Sequence, residues 1–378
     1  MTKTDYDAAI VGGGLAGLAT AIQLAQKGHR VVLFEKEAYP FHKVCGEYLS
    51  LESWHFLESL GVPLKEMGLS LINSLQLTAP NGKAFVTKLP LGGFGISRYL
   101  LDKTLADIAL ASGVSLLQKT KVDDIKSGDE SFTILFEGKT ISARICCAAF
   151  GKRSNLDVKW KRPFLQKQND RLNNYVGIKY HVKTPWKENV IGLHNFKNGY
   201  CGISKIEGDA YCLCYMTKAE NLKAFNGNVE AMQETVLFQN PHLKKIFGQS
   251  EVVQGFPVTI SQISFAQKSK LKDGVLMLGD AAGMITPLCG NGMSIALHTA
   301  KIAATLTDEF LCGNISRNQM EEAYKKQWNK NFSSRLRTGR FIQSFFGANR
   351  LSNLFVGAFK TFPFLAAPVI RMTHGKPF

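Results

Sequence analysis

Residues 12–17 have the sequence Gly-Gly-Gly-Leu-Ala-Gly and lie between an apolar run, Tyr6–Val11, and an alanine- and leucine-rich segment, Leu15–Gln26. The apolar run predicts a buried strand, and the segment after it predicts a helix that ends at Gly28. A second apolar run, Arg30–Phe34, predicts the next strand. A strand, a glycine-rich turn, a helix and a second strand in this order are typical of a Rossmann-like α/β domain.

The glycines of this turn satisfy the spacing Gly-x-Gly-x-x-Gly as Gly12, Gly14 and Gly17. The first allows the tight turn, the second lets the backbone approach a pyrophosphate, and the third lets the helix pack closely on the strand. The phosphates are then expected at the free N–H groups of the helix start, which includes Leu15 and Ala16. The alternative, a glycine-rich turn without a ligand, is disfavoured by the acid that follows it.

Glu35 is this acid, and it ends the second strand about twenty residues beyond the glycines. A carboxylate at this place accepts hydrogen bonds from the ribose hydroxyls of an adenosine. Because an acid repels a 2′-phosphate, the site favours FAD or NAD over NADP. Lys36, the next residue, is included in the predicted cofactor site.

A later segment distinguishes FAD from NAD. Val275–Leu278 is a continuous apolar run and predicts a buried strand that ends at Gly279 and Asp280. Asp280 is expected to accept hydrogen bonds from the ribityl hydroxyls of a flavin, which NAD lacks. The alternative role, an N-cap or turn aspartate, explains Asp280 alone but not the glycines that follow it.

Those glycines belong to Gly290, Asn291 and Gly292, which are expected to open a helix that continues through Met293 toward Leu306. The N–H groups and the dipole of a helix start suit the negative charge that reduced flavin carries. The sequence therefore predicts FAD as the cofactor, with the redox chemistry at flavin N5.

These segments resemble the FAD oxidoreductases that include geranylgeranyl reductases, aromatic-ring hydroxylases and flavin-dependent halogenases. The Cys-Gly pair within Lys43–Ser50 is most similar to the geranylgeranyl reductase branch, although halogenases have a related Gly-Glu-Ser-Leu run. Arg98, before a predicted helix, matches an arginine that the family places near the flavin. The resemblance implies a glutathione-reductase-type FAD domain, an inserted antiparallel β-sheet substrate domain and, between them, the substrate site.

The chain thus divides into an FAD domain, a sheet domain and a helical C-terminal tail. Strand-like segments between Leu172 and Thr217, separated by turns at 198–199 and 208–209, predict the sheet domain. The predicted boundaries are 1–70, 96–160 and 260–310 for the FAD domain, 71–95 and 161–259 for the sheet domain, and 311–378 for the tail.

Two departures from the family bear on the reaction. Family hydroxylases carry Asp-Gly where this chain has Phe150-Gly151, which disfavours hydroxylase-style use of NAD(P)H. Lys152 and Arg153 follow. They are expected to contact an anionic electron donor or the FAD pyrophosphate; the alternative is that they form a solvated loop pair. The halogenase signature Trp-x-Trp-x-x-Ile-Pro is absent, and residues 199–204 stand in its place.

The leading expectation is therefore an FAD-dependent reductase or dehydrogenase. It would act on carbon–carbon double bonds of a hydrophobic, lipid- or isoprenoid-like substrate by hydride transfer through N5. The alternative is a flavin monooxygenase, or a halogenase-like enzyme, that acts on a hydrophobic aromatic or polyketide substrate. A flavin-binding scaffold without catalysis is a third, less favoured class. The external reductant, NAD(P)H or a protein electron donor, stays open.

Three residues are candidates for catalysis. Cys45, in the Cys-Gly-Glu loop, is the candidate nearest the flavin ring, and its alternative role is a packed loop thiol. Glu47 is expected either to orient or protonate the substrate or to form a salt bridge with Lys43. Pro287 is expected to shape the wall beside the flavin.

Composition sets the outer limits. The chain has 378 residues, enough for about two domains, and no apolar run reaches the ~18 residues of a membrane-spanning helix. Its eight cysteines lack Cys-x-x-Cys spacing, so no metal site is predicted. A reduced, cytoplasmic protein with cysteines in its core is expected.

The charge is concentrated near the C-terminus. The chain carries a net charge of +16, and from Gln319 onward ten lysines and arginines oppose only Glu321 and Glu322. Apolar residues recur at helical spacing between Leu351 and Phe362. Such a helix either lies on an anionic membrane surface, at the inner face, or packs on the enzyme. No nucleic-acid motif accompanies the charge, so nucleic acid is not an expected partner.

Overall fold

The computed structural model describes residues 4–165, 174–253, 257–284, 291–345, 349–373 and 375–378. Within these residues the strands form two sheets, one largely parallel and one largely antiparallel. The predicted fold class, an α/β FAD-type domain with a sheet insertion and a helical C-terminal part, is confirmed. Over the described residues, the α-helices are α1 (Leu15–Gln26), α2 (Trp54–Ser59), α3 (Arg98–Ala111), α4 (Asn155–Lys159), α5 (Ala219–Lys223), α6 (Val229–Val236), α7 (Pro241–Gly248), α8 (Gly292–Leu311), α9 (Arg317–Phe345), α10 (Asn349–Thr361) and α11 (Ala366–Thr373).

The first sheet forms the Rossmann-like part, and its strands are β1 (Tyr6–Val11), β2 (Val31–Phe34), β6 (Ser115–Leu117), β7 (Val122–Ser127), β8 (Phe132–Phe136), β9 (Lys139–Ala148), β16 (Leu271–Lys272) and β17 (Val275–Met277). The order β16-β17-β9-β1-β2-β6 is parallel from β17 to β6, and β7 and β8 extend it beside β9 as antiparallel strands. Every residue of β2 is buried, as expected for a parallel strand covered on both faces.

The topology brings the sequence-predicted segments together. The carboxyl ends of parallel strands lie at the same edge of a sheet, where α/β proteins bind their ligands. Gly12 follows β1, Glu35 follows β2, and Gly279 and Asp280 follow β17 at this edge. Helix α1 packs between α3 and α8, so both glycine-rich helix starts lie near that edge.

The second sheet is the insertion, and its strands are β3 (Tyr48–Ser50), β4 (Leu71–Thr78), β5 (Ala84–Gly95), β10 (Tyr175–Lys183), β11 (Val190–Phe196), β12 (Gly199–Lys205), β13 (Tyr211–Lys218), β14 (Glu251–Val252) and β15 (Val258–Ile263). The order is β14-β10-β13-β12-β11-β4-β5-β3, with β15 also on β10. Helices α6 and α7 cover one face of the sheet through Met232, Val236 and Leu243.

The second sheet differs from the expectation in two respects. It is not wholly antiparallel, because β11 pairs with β4 in parallel after a long connection returns the chain beside the β4–β5 hairpin. It also includes two strands near or within the ranges predicted for the FAD domain. β3 lies inside the range 1–70, and β15 crosses the start of the range 260–310. The loop before β3, which contains Cys45, therefore leads from the first sheet into the second.

The C-terminal helices rest on the second sheet. Val356, Phe359 and Ala366 are buried against Leu77 and Phe85 of the β4–β5 hairpin. Part of the predicted apolar helix face thus packs on the protein. In the described part of the chain, no single helix is long and apolar enough for a membrane span. The segments 351–361 and 363–372 meet both criteria only when taken together, and they are bent by 111° relative to each other.

Candidate functional site

A cavity of about 1130 Å³ lies between the two sheets. This volume exceeds the usual range for one small ligand, so it has room for a dinucleotide and a substrate. It is lined by most of the sequence-predicted site residues, namely Gly12, Gly14, Leu15, Ala16, Glu35, Lys36, Cys45, Gly46, Glu47, Arg98, Gly279, Asp280, Gly292 and Met293. Gly17 and Asn291 are buried behind the wall. Pro287 and Gly290 lie outside the described residues.

The first glycine turn has the shape that a pyrophosphate requires. Gly12 has a φ of +108°, and a Cβ on it would lie 2.6 Å from the carbonyl carbon of Ala149. A Cβ on Gly17 would lie 2.0 Å from the Gly12 oxygen, so both positions exclude a side chain. A Cβ on Gly14 would meet only Arg98 Nη2, at 3.8 Å, so this position is not crowded. The N-terminal N–H groups of α1 are therefore accessible to phosphate oxygens.

Glu35 and Tyr39 hold this turn from outside. The Gly13 N–H donates to Glu35 Oε2 (2.9 Å), and the Tyr39 hydroxyl donates to the Gly13 carbonyl oxygen. Glu35 Oε1 accepts from the N–H of Glu37 (3.1 Å). The carboxylate thus supports the turn in addition to lining the cavity, and its predicted contact with the ribose stays a prediction.

Arg98 is fixed by a buried ion pair. Its Nε and Nη2 donate to the two carboxylate oxygens of Asp102 at 2.7 and 2.8 Å, one helical turn along α3. Lys43 Nζ lies 2.9 Å from the same carboxylate. Burial opposes ionisation of Asp102, but the charges of Arg98 and Lys43 outweigh it and hold its pKa below the usual value. Two cations therefore share one acid beside Gly14, which leaves positive charge for a pyrophosphate.

Glu47 is the centre of a second buried cluster. Its Oε1 accepts from Lys179 Nζ (2.8 Å) and from the Arg98 N–H (2.9 Å), and its Oε2 lies 2.6 Å from His181 Nε2. Burial opposes its charge, but His181 and Lys179 keep the pKa of Glu47 below the usual value. Glu47 has a φ of 53°, which its three partners hold in place.

This geometry corrects the prediction for Glu47. The expected salt bridge with Lys43 is wrong, because Lys43 pairs with Asp102 while Glu47 pairs with Lys179. An ionised carboxylate whose two oxygens are both occupied is also poorly suited to give a proton to a substrate. The structure thus favours a positioning role, in which Glu47 fixes the start of α3 and the loop before it.

The Cys45 loop is held by the second sheet. The Cys45 carbonyl oxygen accepts from Cys212 Sγ (3.2 Å), and the Gly46 carbonyl oxygen accepts from Ser204 Oγ (3.0 Å). Lys152 Nζ donates to the carbonyl oxygen of Val44 (3.2 Å), so this lysine holds the loop. The Cys45 thiol lines the cavity and is partly exposed.

The Glu47 cluster also brings a thiol close to the acid. Glu47, His181 and Cys212 offer three potential metal-ligand atoms within 4.8 Å of one another, a grouping that Cys-x-x-Cys spacing does not reveal. Burial raises the pKa of the Cys212 thiol well above the usual range, which disfavours the thiolate that metals prefer. Lys179 already neutralises Glu47, so the cluster is better described as an ion pair.

Three basic side chains hold the turn 280–282 through its carbonyl oxygens. The contacts are Lys268 Nζ to Asp280 (2.9 Å), Arg162 Nη1 to Ala281 (3.0 Å) and Lys270 Nζ to Ala282 (3.1 Å). Arg162 also pairs with Asp157 at 2.7 Å. Burial lowers the pKa of Lys268 to about 8 and that of Lys270 to about 8. The three bases outnumber the two acids beside them, Asp157 and Asp280, which leaves positive charge behind the turn for an anionic ligand.

The lowered pKa of Lys268 predicts a dependence of stability on pH. Between pH 8 and about 10.4, the usual lysine pKa, the unfolded chain binds more protons at this position than the folded chain. The free energy of unfolding should therefore rise with pH through this window. We compare the free energy of unfolding of the wild type with that of Lys268→Met. Between pH 8 and 10, this difference should shift by about 1–2 kcal/mol in favour of the wild type.

Urea unfolding at several pH values measures this difference, in which the titration of shared groups cancels. Lys272→Met is the matched control, because Lys272 pairs with Asp273 at the surface. A difference that stays constant from pH 8 to 10 would contradict the prediction.

Sequence analysis missed the partners of the predicted site residues. Lys179 and His181 lie two residues apart on β10 and so share one face with Lys183, a pattern that was visible in the sequence. Asp102 follows Arg98 at the i,i+4 spacing of a helical ion pair. Arg162 and Lys268 had no comparable signal. Arg162 lies 119 positions from Ala281, and the 12 positions between Lys268 and Asp280 match no regular helix or strand spacing.

Comparisons with known proteins support FAD as the cofactor. The family described as FAD binding domain matches residues 5–327. Digeranylgeranylglycerophospholipid reductase of Methanococcus vannielii is 23% identical over 337 residues, which cover 86% of this chain and 83% of that protein. Conditioned medium factor receptor 1 of Dictyostelium discoideum is 23% identical over 357 residues, which cover 86% of this chain and 68% of that protein.

Solved structures show the same fold. The flavin-dependent brominase Bmp2 superposes with a TM-score of 0.77 at 20% identity and covers 97% of this chain and 93% of its own. A geranylgeranyl bacteriochlorophyll reductase-like protein of Thermoplasma acidophilum has a TM-score of 0.75 at 18% identity and covers 92% of this chain and 90% of its own. One fold thus serves proteins named as reductases and as halogenases, so the fold alone does not choose the reaction.

Proposed function

The chain belongs to the FAD binding domain family, and within that family we propose that it is a reductase or dehydrogenase of carbon–carbon double bonds in an apolar, lipid-like substrate. FAD is its cofactor, as the sequence predicts. The glycine turn at 12–17, the cations around Asp102 and the turn at 280–282 fit the pyrophosphate and the ribityl chain. When bound, the flavin supplies hydride transfer at N5.

The observation that carries the proposal is the composition of the cavity opposite the cofactor segments. Ile191, Leu193, Tyr200, Met216 and Ile260, all from the second sheet, line the same cavity as the Cys45 loop. This apolar part of the wall suits a hydrocarbon chain, while Ser204, Thr259 and Gln262 of the same sheet supply polar groups elsewhere in the lining. The name of the archaeal relative, a reductase of a prenylated phospholipid, supports this substrate class.

The protein groups have separate roles in this proposal. Glu47 and Lys179 fix the loop, and the apolar wall orients the substrate and excludes water. Cys45 is the residue of that loop that meets the reacting atoms, and its thiol is the candidate proton donor. The electron donor is either NAD(P)H or a protein, and the side chain of Arg153, at the cavity wall, is available to an anionic one.

The product distinguishes reduction from the alternative, oxygenation or halogenation. The FAD-loaded protein is reduced chemically and mixed with a geranylgeranylated glycerophospholipid, with and without oxygen. We expect a product that gains two hydrogen atoms per reacted double bond, with or without oxygen, as measured by mass spectrometry. Incorporation of an oxygen atom, or of a halogen when halide is present, would overturn the reductase proposal.

Substitution of Cys45 tests its role in the same assay. Cys45→Ser should slow product formation by at least about a hundredfold, the lower end expected for loss of a proton donor, without loss of bound FAD. Cys312→Ser is the control, because Cys312 is exposed at the end of α8. Equal rates for the two variants would leave Cys45 as a packed thiol and contradict its assignment.

A further inference from the structure

The C-terminal helices leave an apolar surface uncovered. We call it the tail surface, and its residues are Leu351, Leu354, Phe362, Phe364, Leu365 and Met372. Leu354 and Phe364 have 71% and 70% of their area exposed. Single exposed apolar residues are ordinary, but a group of this size within α10, α11 and their connection marks an interaction site.

The charge around the tail surface selects its partner. The chain has no aspartate or glutamate after Glu322, whereas Lys360 and Arg371 are exposed within the same helices. An anionic bilayer binds surfaces that combine two features. Apolar side chains insert into the bilayer, and lysines and arginines are attracted to its anionic headgroups. A second copy of this surface would bring like charges together, which disfavours self-association.

The tail surface is anchored to the wall of the cavity. Val356 and Phe359 pack on the cluster that Leu193 also contacts, and Leu193 lines the cavity. Ile370 of α11 packs against the cluster that contains Tyr48 and Ile191, which line the cavity as well. One layer of side chains therefore separates the buried side of the tail from the apolar end of the cavity.

We propose that the tail surface binds the anionic face of a lipid bilayer and holds the apolar end of the cavity against it. A lipid substrate then passes between bilayer and cavity without crossing water. Bilayer binding by the tail surface does not depend on the proposed reaction. The passage of a lipid substrate does depend on the proposed function. Because the binding assay needs no turnover, the failure of one is distinguishable from the failure of the other.

Co-sedimentation with vesicles tests the surface in the full, FAD-loaded chain. We expect at least about tenfold tighter binding to vesicles of phosphatidylcholine with phosphatidylglycerol than to phosphatidylcholine alone. The variant L354Q/F364Q should lose at least about tenfold in affinity for the anionic vesicles, and K360E/R371E should lose a similar factor. Retained flavin absorbance and an unchanged unfolding temperature show that the variants are folded.

Matched changes elsewhere serve as controls. Leu110→Gln and Val253→Gln alter apolar residues that are about half exposed in other parts of the chain, and K139E/K223E reverses the same number of surface charges. The affinity of these variants for the anionic vesicles should stay within about threefold of the wild-type affinity. The limit allows for the small loss that two remote charges cause. Equal binding to both vesicle types, or tail variants that bind like the controls, would overturn the proposal. A wild-type dimer that L354Q/F364Q dissociates without vesicles would show instead that a second copy covers the surface.

A photoactivatable phospholipid tests the orientation. With the reactive group at the end of its acyl chain, it should label peptides from 349–372 and from the β11 segment 190–196. Labelling of the β7–β8 region, on the first sheet, in place of these peptides would refute the proposed contact.

Discussion

Replacement of Glu47 by glutamine is expected to lower the free energy of unfolding by about 3–5 kcal/mol, the usual cost of leaving a buried charge without its partner. Glutamine keeps the size of the side chain but not its charge. Lys179, which is fully buried, would then lose its counter-ion, and His181 would lose a charged hydrogen-bond acceptor. Urea unfolding at neutral pH measures the loss.

The dependence on pH gives this prediction a second test. The folded-state pKa of Glu47 lies below the usual value, so its stabilisation is present above about pH 4.3, the ordinary glutamate pKa, and is lost as pH falls through the folded-state pKa. The stabilities of the wild type and Glu47→Gln should therefore converge in acid. A gap that persists with both chains folded well below pH 4 would argue that the charge is not its cause.

Two further variants define the cause. Glu58→Gln is the control, because Glu58 pairs with His55 and Lys65 at the surface and should change stability by no more than about 1 kcal/mol. Lys179→Met, added to Glu47→Gln, removes the orphaned cation and should restore part of the lost stability. If Glu47→Gln behaves like Glu58→Gln, the buried cluster does not stabilise the fold.

Replacement of Gly17 by alanine is expected to weaken FAD binding by about a hundredfold, or about 2.7 kcal/mol. The new Cβ would lie 2.0 Å from the Gly12 carbonyl oxygen, so α1 must move away from β1 or the turn must open. Either movement displaces the N–H groups that face the phosphates. Overpacking of this kind also costs about 1–3 kcal/mol of stability.

Fluorescence titration of the apoprotein with FAD measures the affinity. Gly248→Ala is the matched control, since Gly248 ends a helix without a positive φ, and a Cβ added there would have no atom within 4 Å. It should leave FAD affinity unchanged. If Gly17→Ala retains affinity within about threefold while its fold is intact, the close contact between α1 and the turn is not needed for binding.

Much of the cofactor part was predictable because its causes are local. The strand Tyr6–Val11 and the helix Leu15–Gln26 have the bounds that the sequence predicts, since apolar runs and a glycine turn define them within one stretch of chain. The β4–β5 hairpin is also a local feature, since Pro80, Asn81 and Gly82 are typical turn residues between its two strands. The parallel pairing of β4 with β11 was missed, because it joins strands more than a hundred residues apart.

What the sequence determined by itself is the cofactor and the kind of domain that binds it. A glycine turn, a carboxylate at a strand end and a buried apolar run each impose a local geometry. In this chain they occur at 12–17, at Glu35 and from Val275 onward, and together they predict FAD. Only the tertiary structure decided which partners the buried charged groups find over long distances in sequence. Glu47 meets Lys179 across 132 positions and Arg162 meets Ala281 across 119.

The tertiary structure also divided the apolar tail into a packed side and an exposed side. The physical reason is the same in each case. A buried charge or an apolar face needs a partner, but the sequence does not state which strand or helix will supply it. That choice follows from how the two sheets meet, and it is made when the whole chain has folded.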